Sequence, residues 1–199
     1  MKIRRSEAMG LPADMVACYT KYLFLALLCF TFGGVFSLLV SKNLIEAFSN
    51  TISVHFELPL IHRSITFKSF ACEFLVLLGS DTISFWSIFI FSFSFMNRLV
   101  AYLVMSYNGF ALGVSSVCVI KSMKYCGFPN AGDLLIYFFF GWLTVLLFAI
   151  YSYRTLQFKR EIKIADVKKR RLKLLSYCTF SISFFCALII LNIVYIFIL

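Results

Sequence analysis

Residues 82–120 read TISFWSIFIFSFSFMNRLVAYLVMSYNGFALGVSSVCVI. Two apolar runs, 82–96 and 99–120, are parted by Asn97 and Arg98 alone. Either the stretch is one long helix, or it is two helices folded back on each other across a bilayer. The first run has fifteen residues and would be about 22 Å long at 1.5 Å per residue. That is short against a hydrocarbon core of about 30 Å. Either the bilayer thins there or the helix begins earlier, near Leu75.

The flanking charges decide between the two. Further apolar runs lie at 22–40, 131–152 and 174–199, and between the last two lies 153–173, with nine Lys or Arg against Glu161 and Asp166. If 82–120 were one span, this basic segment would face outward. With two spans, it faces the cytoplasm. The two-span reading puts fourteen of the nineteen basic residues inside: four up to Lys21, Arg98, and the nine of 153–173. Only Lys42, Arg63, Lys68, Lys121 and Lys124 are left outside. Cytoplasmic loops carry the excess of Lys and Arg, so the sequence predicts about five transmembrane helices, with the N-terminus inside and the C-terminus outside.

Composition agrees. Of the 199 residues 61% are hydrophobic and the mean hydropathy is +0.91, whereas a soluble domain is nearer half apolar. Within hydrocarbon every backbone group must be paired internally, which leaves helices or closed barrels. Long continuous apolar runs select helices. The expected fold is an all-α, polytopic membrane helical bundle, a single integral domain over 1–199 in a cell membrane. The net charge of +10 is bunched at the edges of the runs, so it is read as topogenic and not as a nucleic-acid footprint. The seven cysteines form no CxxC or zinc-ligand spacing. Cys72 and Cys126 fall outside the spans on one side, so a disulfide between them stays open.

Segment 41–81 lies outside the membrane in this reading. Phe67, Phe70, Ala71, Phe74, Leu75 and Leu78 recur at helical spacing, and Gly79 offers a stop. The expectation is an outer amphipathic helix over 65–78 on the membrane surface, the alternative being a plain extension of the second span. Asp81 is read as the N-cap of that span.

No catalytic constellation is visible. HExxH, GxSxG and P-loop motifs are absent, and in this reading no charged residue lies inside a span except Asp133 at a rim, with Arg98 in a turn. His55 and His62 have no ligand partners at suitable spacing. No cofactor, no metal and no enzymatic activity are expected. Helix packing remains. Gly109 and Gly113 are four apart and share a helix face, where a second helix could approach closely, and Asn108 could hydrogen-bond across. Packing within the chain is the leading reading and a homo-oligomer seam the alternative. Gly33 and Gly34 would serve the same purpose or kink the first span. The cluster Lys168, Lys169, Arg170, Arg171 and Lys173 is either the topogenic flank of the last span or a site for anionic lipid. The 25 Phe residues are read as lipid-facing filler.

Four stretches resemble the stage II sporulation protein M family of small bacterial membrane proteins. Lys21-Tyr22-Leu23-Phe24 with Phe32-Gly33-Gly34 is similar to the family's first span. The helix at 65–78 running into the second span resembles its pre-span segment. Asn108-Gly109-Phe110-Ala111-Leu112-Gly113 looks like its glycine-bearing motif in span three. Pro129-Asn130 with Gly141 resembles its proline-led approach to span four, although the second proline of many relatives is missing. The resemblance implies a non-enzymatic scaffold. It would anchor a septal peptidoglycan-degrading complex during forespore engulfment, beside cell-wall hydrolases resembling stage II sporulation proteins D and P. The rival from another class is a small permease subunit partnered with an ATP-binding-cassette ATPase, with 153–173 as the coupling contact.

Overall fold

The structure is a computed structural model that describes residues 13–39, 67–126 and 131–198. The described residues form five helices: α1 Ala13–Leu39, α2 Phe67–Phe91, α3 Asn97–Cys126, α4 Ala131–Ile164 and α5 Val167–Ile198. Among them there is no strand. Four are long and apolar enough to cross a membrane, over Val16–Leu39, Asn97–Val117, Leu135–Ile164 and Lys169–Ile198. The apolar part of α2, Leu78–Phe91, is shorter.

Contacts fix the helix directions. A side chain on Gly109 would meet Ala26 and one on Gly113 would meet Phe30; both numbers rise together, so α1 and α3 run parallel. Tyr19 packs against Tyr153 and Phe30 against Trp142, both as tilted ring pairs, which sets α4 antiparallel to α1. Glu161 pairs with Lys173 and Tyr151 bonds Ser181, so α4 and α5 are an antiparallel hairpin. Phe85 stacks on Tyr151 and Phe93 meets Phe158, so α2 runs with α4. Consecutive helices therefore alternate in direction, and the starts of α1, α3 and α5 share one end of the bundle with the finishes of α2 and α4.

The helix limits differ from the sequence reading at three places. First, the break in 82–120 is not at Asn97 and Arg98 but in the five residues before Asn97, which already opens α3. Phe93, Phe95 and Met96 disguised it as span. Serines make the turn: Ser92 Oγ donates to Phe89 O, and Met96 N–H donates to Ser94 Oγ at 3.3 Å. Lys159 of α4 clamps it by donating Nζ to Ser94 O.

Second, α2 is one continuous helix through Gly79, which stays helical with open space where a side chain would stand. From Phe67 onward the expected surface helix is the first part of α2, and the two residues before it lie outside the described ones. Asp81 is accordingly inside a helix and caps nothing.

Third, the basic segment 153–173 is helical except at Ala165 and Asp166. Phe158 explains part of this. It is buried and stacks on Tyr177 at 4.1 Å between centroids, which holds the last turns of α4 against α5.

The core also corrects the reading of Phe as filler. Phe85, Phe148 and Phe184 are buried with Tyr151. Tyr151 and Phe184 lie 4.4 Å apart at 13°, and Phe85 and Phe184 6.1 Å apart at 15°. In lipid, association gains little from hydrophobic burial, since tails are as apolar as the side chains. Close ring packing supplies dispersion contacts instead. Other Phe residues, such as Phe24, Phe32, Phe139 and Phe197, are exposed on the outer surface.

Candidate functional site: a polar cavity and a basic end

Four helices meet around a small cavity in the interior. It measures about 50 Å³ and is lined by Asp81 of α2, Asn108 of α3, Thr144 of α4, and Asn192 and Tyr195 of α5, among others. That is room enough for water. Asp81 is 8% exposed and Asn192 6%. Asn192 Nδ2–H donates to Asp81 Oδ2 at 2.9 Å. Among the described residues no cation pairs with Asp81. Tyr195 is 5% exposed, and its hydroxyl has no partner among the described residues. An isolated carboxylate in an apolar bundle is costly and needs hydrogen-bond donors around it; Asn192 is the donor this bundle supplies.

The sequence reading missed this site. It took Gly79 for a helix stop, which moved Asp81 to a helix end and left the spans free of charge. Extending the apolar period of 67–78 through Gly79 would have placed Asp81 on the interior of α2. Asn192, far along the chain, gave no local sign of being its partner.

Two further hydroxyl relays tie helices together. Tyr151 Oη donates to Ser181 Oγ at 3.1 Å, and Ser181 Oγ donates on to Tyr177 O at 2.9 Å. Tyr137 Oη lies 2.6 Å from Ser115 Oγ, which itself donates to Leu112 O at 3.0 Å. Because Ser115 has spent its hydrogen on the helix carbonyl, Tyr137 is the donor to it.

The glycines sit in the α1–α3 seam. A Cβ on Gly109 would strike the Ala26 backbone, one on Gly113 the Phe30 carbonyl, and one on Gly33 the Phe110 carbonyl. Gly34 is looser, with Val117 Cγ2 at 3.8 Å. Among the described residues Asn108 does not bond to another helix; its Nδ2–H donates to Val104 O at 2.9 Å, one turn back. Its carbonyl oxygen is left for the cavity that it lines.

The basic residues gather at the other notable place. Lys21, Arg98 and Arg160 line a common cavity where α1, α3 and α4 meet. Nearby, Glu161 pairs with Lys173 at 3.0 Å and approaches Arg154 at 4.0 Å. Of the cluster at 168–173, Lys169 and Arg171 are exposed. Arg170 Nε–H donates to Ala165 O at 2.8 Å, closing the break between α4 and α5. The side chain of Lys168 lies outside the described ones, as do those of Cys72, Cys126 and Asp133 and all of His55 and His62. Cys18, Cys29, Cys178 and Cys186 are free thiols. Among the described residues no three His, Cys, Asp or Glu are grouped to hold a metal.

No family model matches the chain, and neither a curated protein nor a solved structure is significantly similar to it.

Proposed function

We propose that the chain is a multi-pass membrane scaffold with five crossings, its N-terminus in the cytoplasm and its C-terminus outside. The observation that carries the topology is the alternation of helix directions, with Lys21, Arg98, Arg160 and the 168–173 cluster at one end of the bundle. Cytoplasmic placement of that end satisfies the positive-inside rule. The crossing by α2 is the short one: Leu78–Phe91 spans only about 20 Å, and the whole helix of 25 residues about 37 Å.

The scaffold role rests on how the polar groups are used. Tyr151, Ser181, Tyr137 and Ser115 bond helix to helix, and the glycines lock α1 to α3. Apolar side chains such as Phe32, Leu135 and Ile182 are left exposed on the outside, where partner helices could pack. By its resemblance to the sporulation family, the partners would be cell-wall hydrolases like stage II sporulation proteins D and P. The experiment is membrane-dye imaging of a deletion strain under starvation, scored for engulfment of the smaller compartment. Arrest with a flat or bulging septum is expected. Normal engulfment in a strain without a paralogue would overturn the assignment.

One observation favours a second reading. A buried carboxylate in a polar cavity between four helices is what a membrane permease uses to pass or couple an ion. In that case the chain would be a permease subunit beside an ATP-binding-cassette ATPase. ATPase activity co-purifying with the tagged chain would move this reading ahead of the scaffold.

A further inference from the structure

Lys21 near the start of α1, Arg98 at the start of α3 and Arg160 in the last turns of α4 line one cavity of about 310 Å³. Tyr22, Tyr102 and Gln157 also line it, and among the described residues no Asp or Glu does. The ion pairs among the described residues are made elsewhere, by Glu161 with Lys173 and Arg154. Three cations thus share one concavity with no carboxylate among its described lining, an arrangement that favours an anion.

A second groove, of about 710 Å³, opens beside the cavity and shares Lys21, Arg98 and Tyr102 with it. The rest of its lining is mainly apolar: Phe24, Leu25, Leu28, Leu99 and Leu103. Phe24, Leu28, Leu99 and Leu103 are exposed on the outer surface of the bundle. A cationic pocket thus runs directly into an apolar groove on the membrane-facing side.

We propose that this cleft between α1, α3 and α4 binds one anionic phospholipid. Lys21, Arg98 and Arg160 hold the headgroup phosphate, and an acyl chain lies along the groove. Soluble phosphate would fill the pocket but leave the apolar groove unexplained, which is why a lipid is the occupant. The site is distinct from the 168–173 cluster, none of whose described side chains lines either cavity.

Native mass spectrometry of the full chain tests this. The protein is extracted into detergent with equal amounts of phosphatidylglycerol and phosphatidylethanolamine, with and without inorganic phosphate. Preferential retention of phosphatidylglycerol is expected. Arg98 and Arg160 are exposed, so Arg98→Gln and Arg160→Gln leave the fold intact, and each lowers retention about fivefold. Lys169→Gln with Arg171→Gln, charges removed outside the cleft, leaves retention unchanged. Leu103→Glu, which puts a like charge in the groove, also lowers it. Equal loss in the Lys169/Arg171 variant would overturn the proposal, since surface charge alone would then explain binding. So would equal retention of the two lipids, or displacement by inorganic phosphate.

Discussion

Asp81 and Asn192 lie 111 residues apart in the chain, yet the Asn192 side-chain amide donates to the Asp81 carboxylate at 2.9 Å with both residues buried. This bond ties α2, which has the shortest apolar run of the five helices, to α5. An interhelical polar bond in a membrane bundle is worth about 0.6–2 kcal/mol. Breaking one side leaves the other group buried without a partner, which costs about 1–3 kcal/mol.

Asp81→Ala and Asn192→Ala should therefore each destabilise the detergent-solubilised protein by about 1–3 kcal/mol. Asp81→Asn, which can still accept the bond, should cost less. The check is a thermal-unfolding double-mutant cycle. The double variant should be less damaging than the sum of the singles, and strict additivity would remove the bond as a stabilising contact.

The glycines make a graded prediction. Gly109→Ala and Gly113→Ala would push Cβ into the backbone of α1, which cannot give way as a flexible side chain can. Both should sharply reduce the fraction of monodisperse protein in size-exclusion chromatography. Gly34→Ala meets Val117 at 3.8 Å and Gly113 O at 3.9 Å, both ordinary van der Waals contacts, and should behave like the parent. Gly79→Ala meets nothing within 4 Å and should stabilise α2 by about 0.5–1 kcal/mol, as Ala for Gly does in a helix. The larger Gly109→Leu and Gly113→Leu should also weaken pull-down of partners. Equal tolerance at positions 34 and 113 would contradict the parallel α1–α3 seam.

The two tyrosine relays differ from these in scale. Tyr151→Phe and Tyr137→Phe remove one hydroxyl each but leave Ser181 and Ser115 bonded to their helix carbonyls. No buried donor is orphaned, so each should cost about 1 kcal/mol. Chemical-denaturant midpoints measure this. A loss as large as that of Asp81→Ala would mean that the rings themselves had moved.

Charge reversal tests the topology. Lys169, Arg170 and Arg171 stand in the first turn and a half of α5, at the positive end of a helix dipole, where cations are disfavoured. In the proposed topology their role is to orient the membrane segment. Replacing all three with Glu should yield a mixed or inverted last span, read by protease accessibility in inside-out vesicles. An unchanged pattern would move the orienting role to Arg98 and the end of α4.

Much of the bundle was legible in the sequence. Long apolar runs and the crowding of Lys and Arg at 153–173 announce a helical membrane protein. The spacing of Gly109 and Gly113 marks a packing face. What escaped was everything that depends on distant partners or on breaks hidden in apolar sequence. The turn before Asn97 is built by Ser92 and Ser94 between Phe residues that read as span. Gly79 looked like a stop, yet neighbours on both sides carry the helix through it. Asp81 became a buried group only through Asn192, and the cationic cleft only through the meeting of Lys21, Arg98 and Arg160 from three helices.

The central claim is the five-crossing topology with the basic end in the cytoplasm. A dual reporter fused after Leu199, phosphatase-active outside the membrane and fluorescent inside, tests it most directly. The account predicts phosphatase activity without fluorescence. Fluorescence without phosphatase activity would place the C-terminus in the cytoplasm and contradict it.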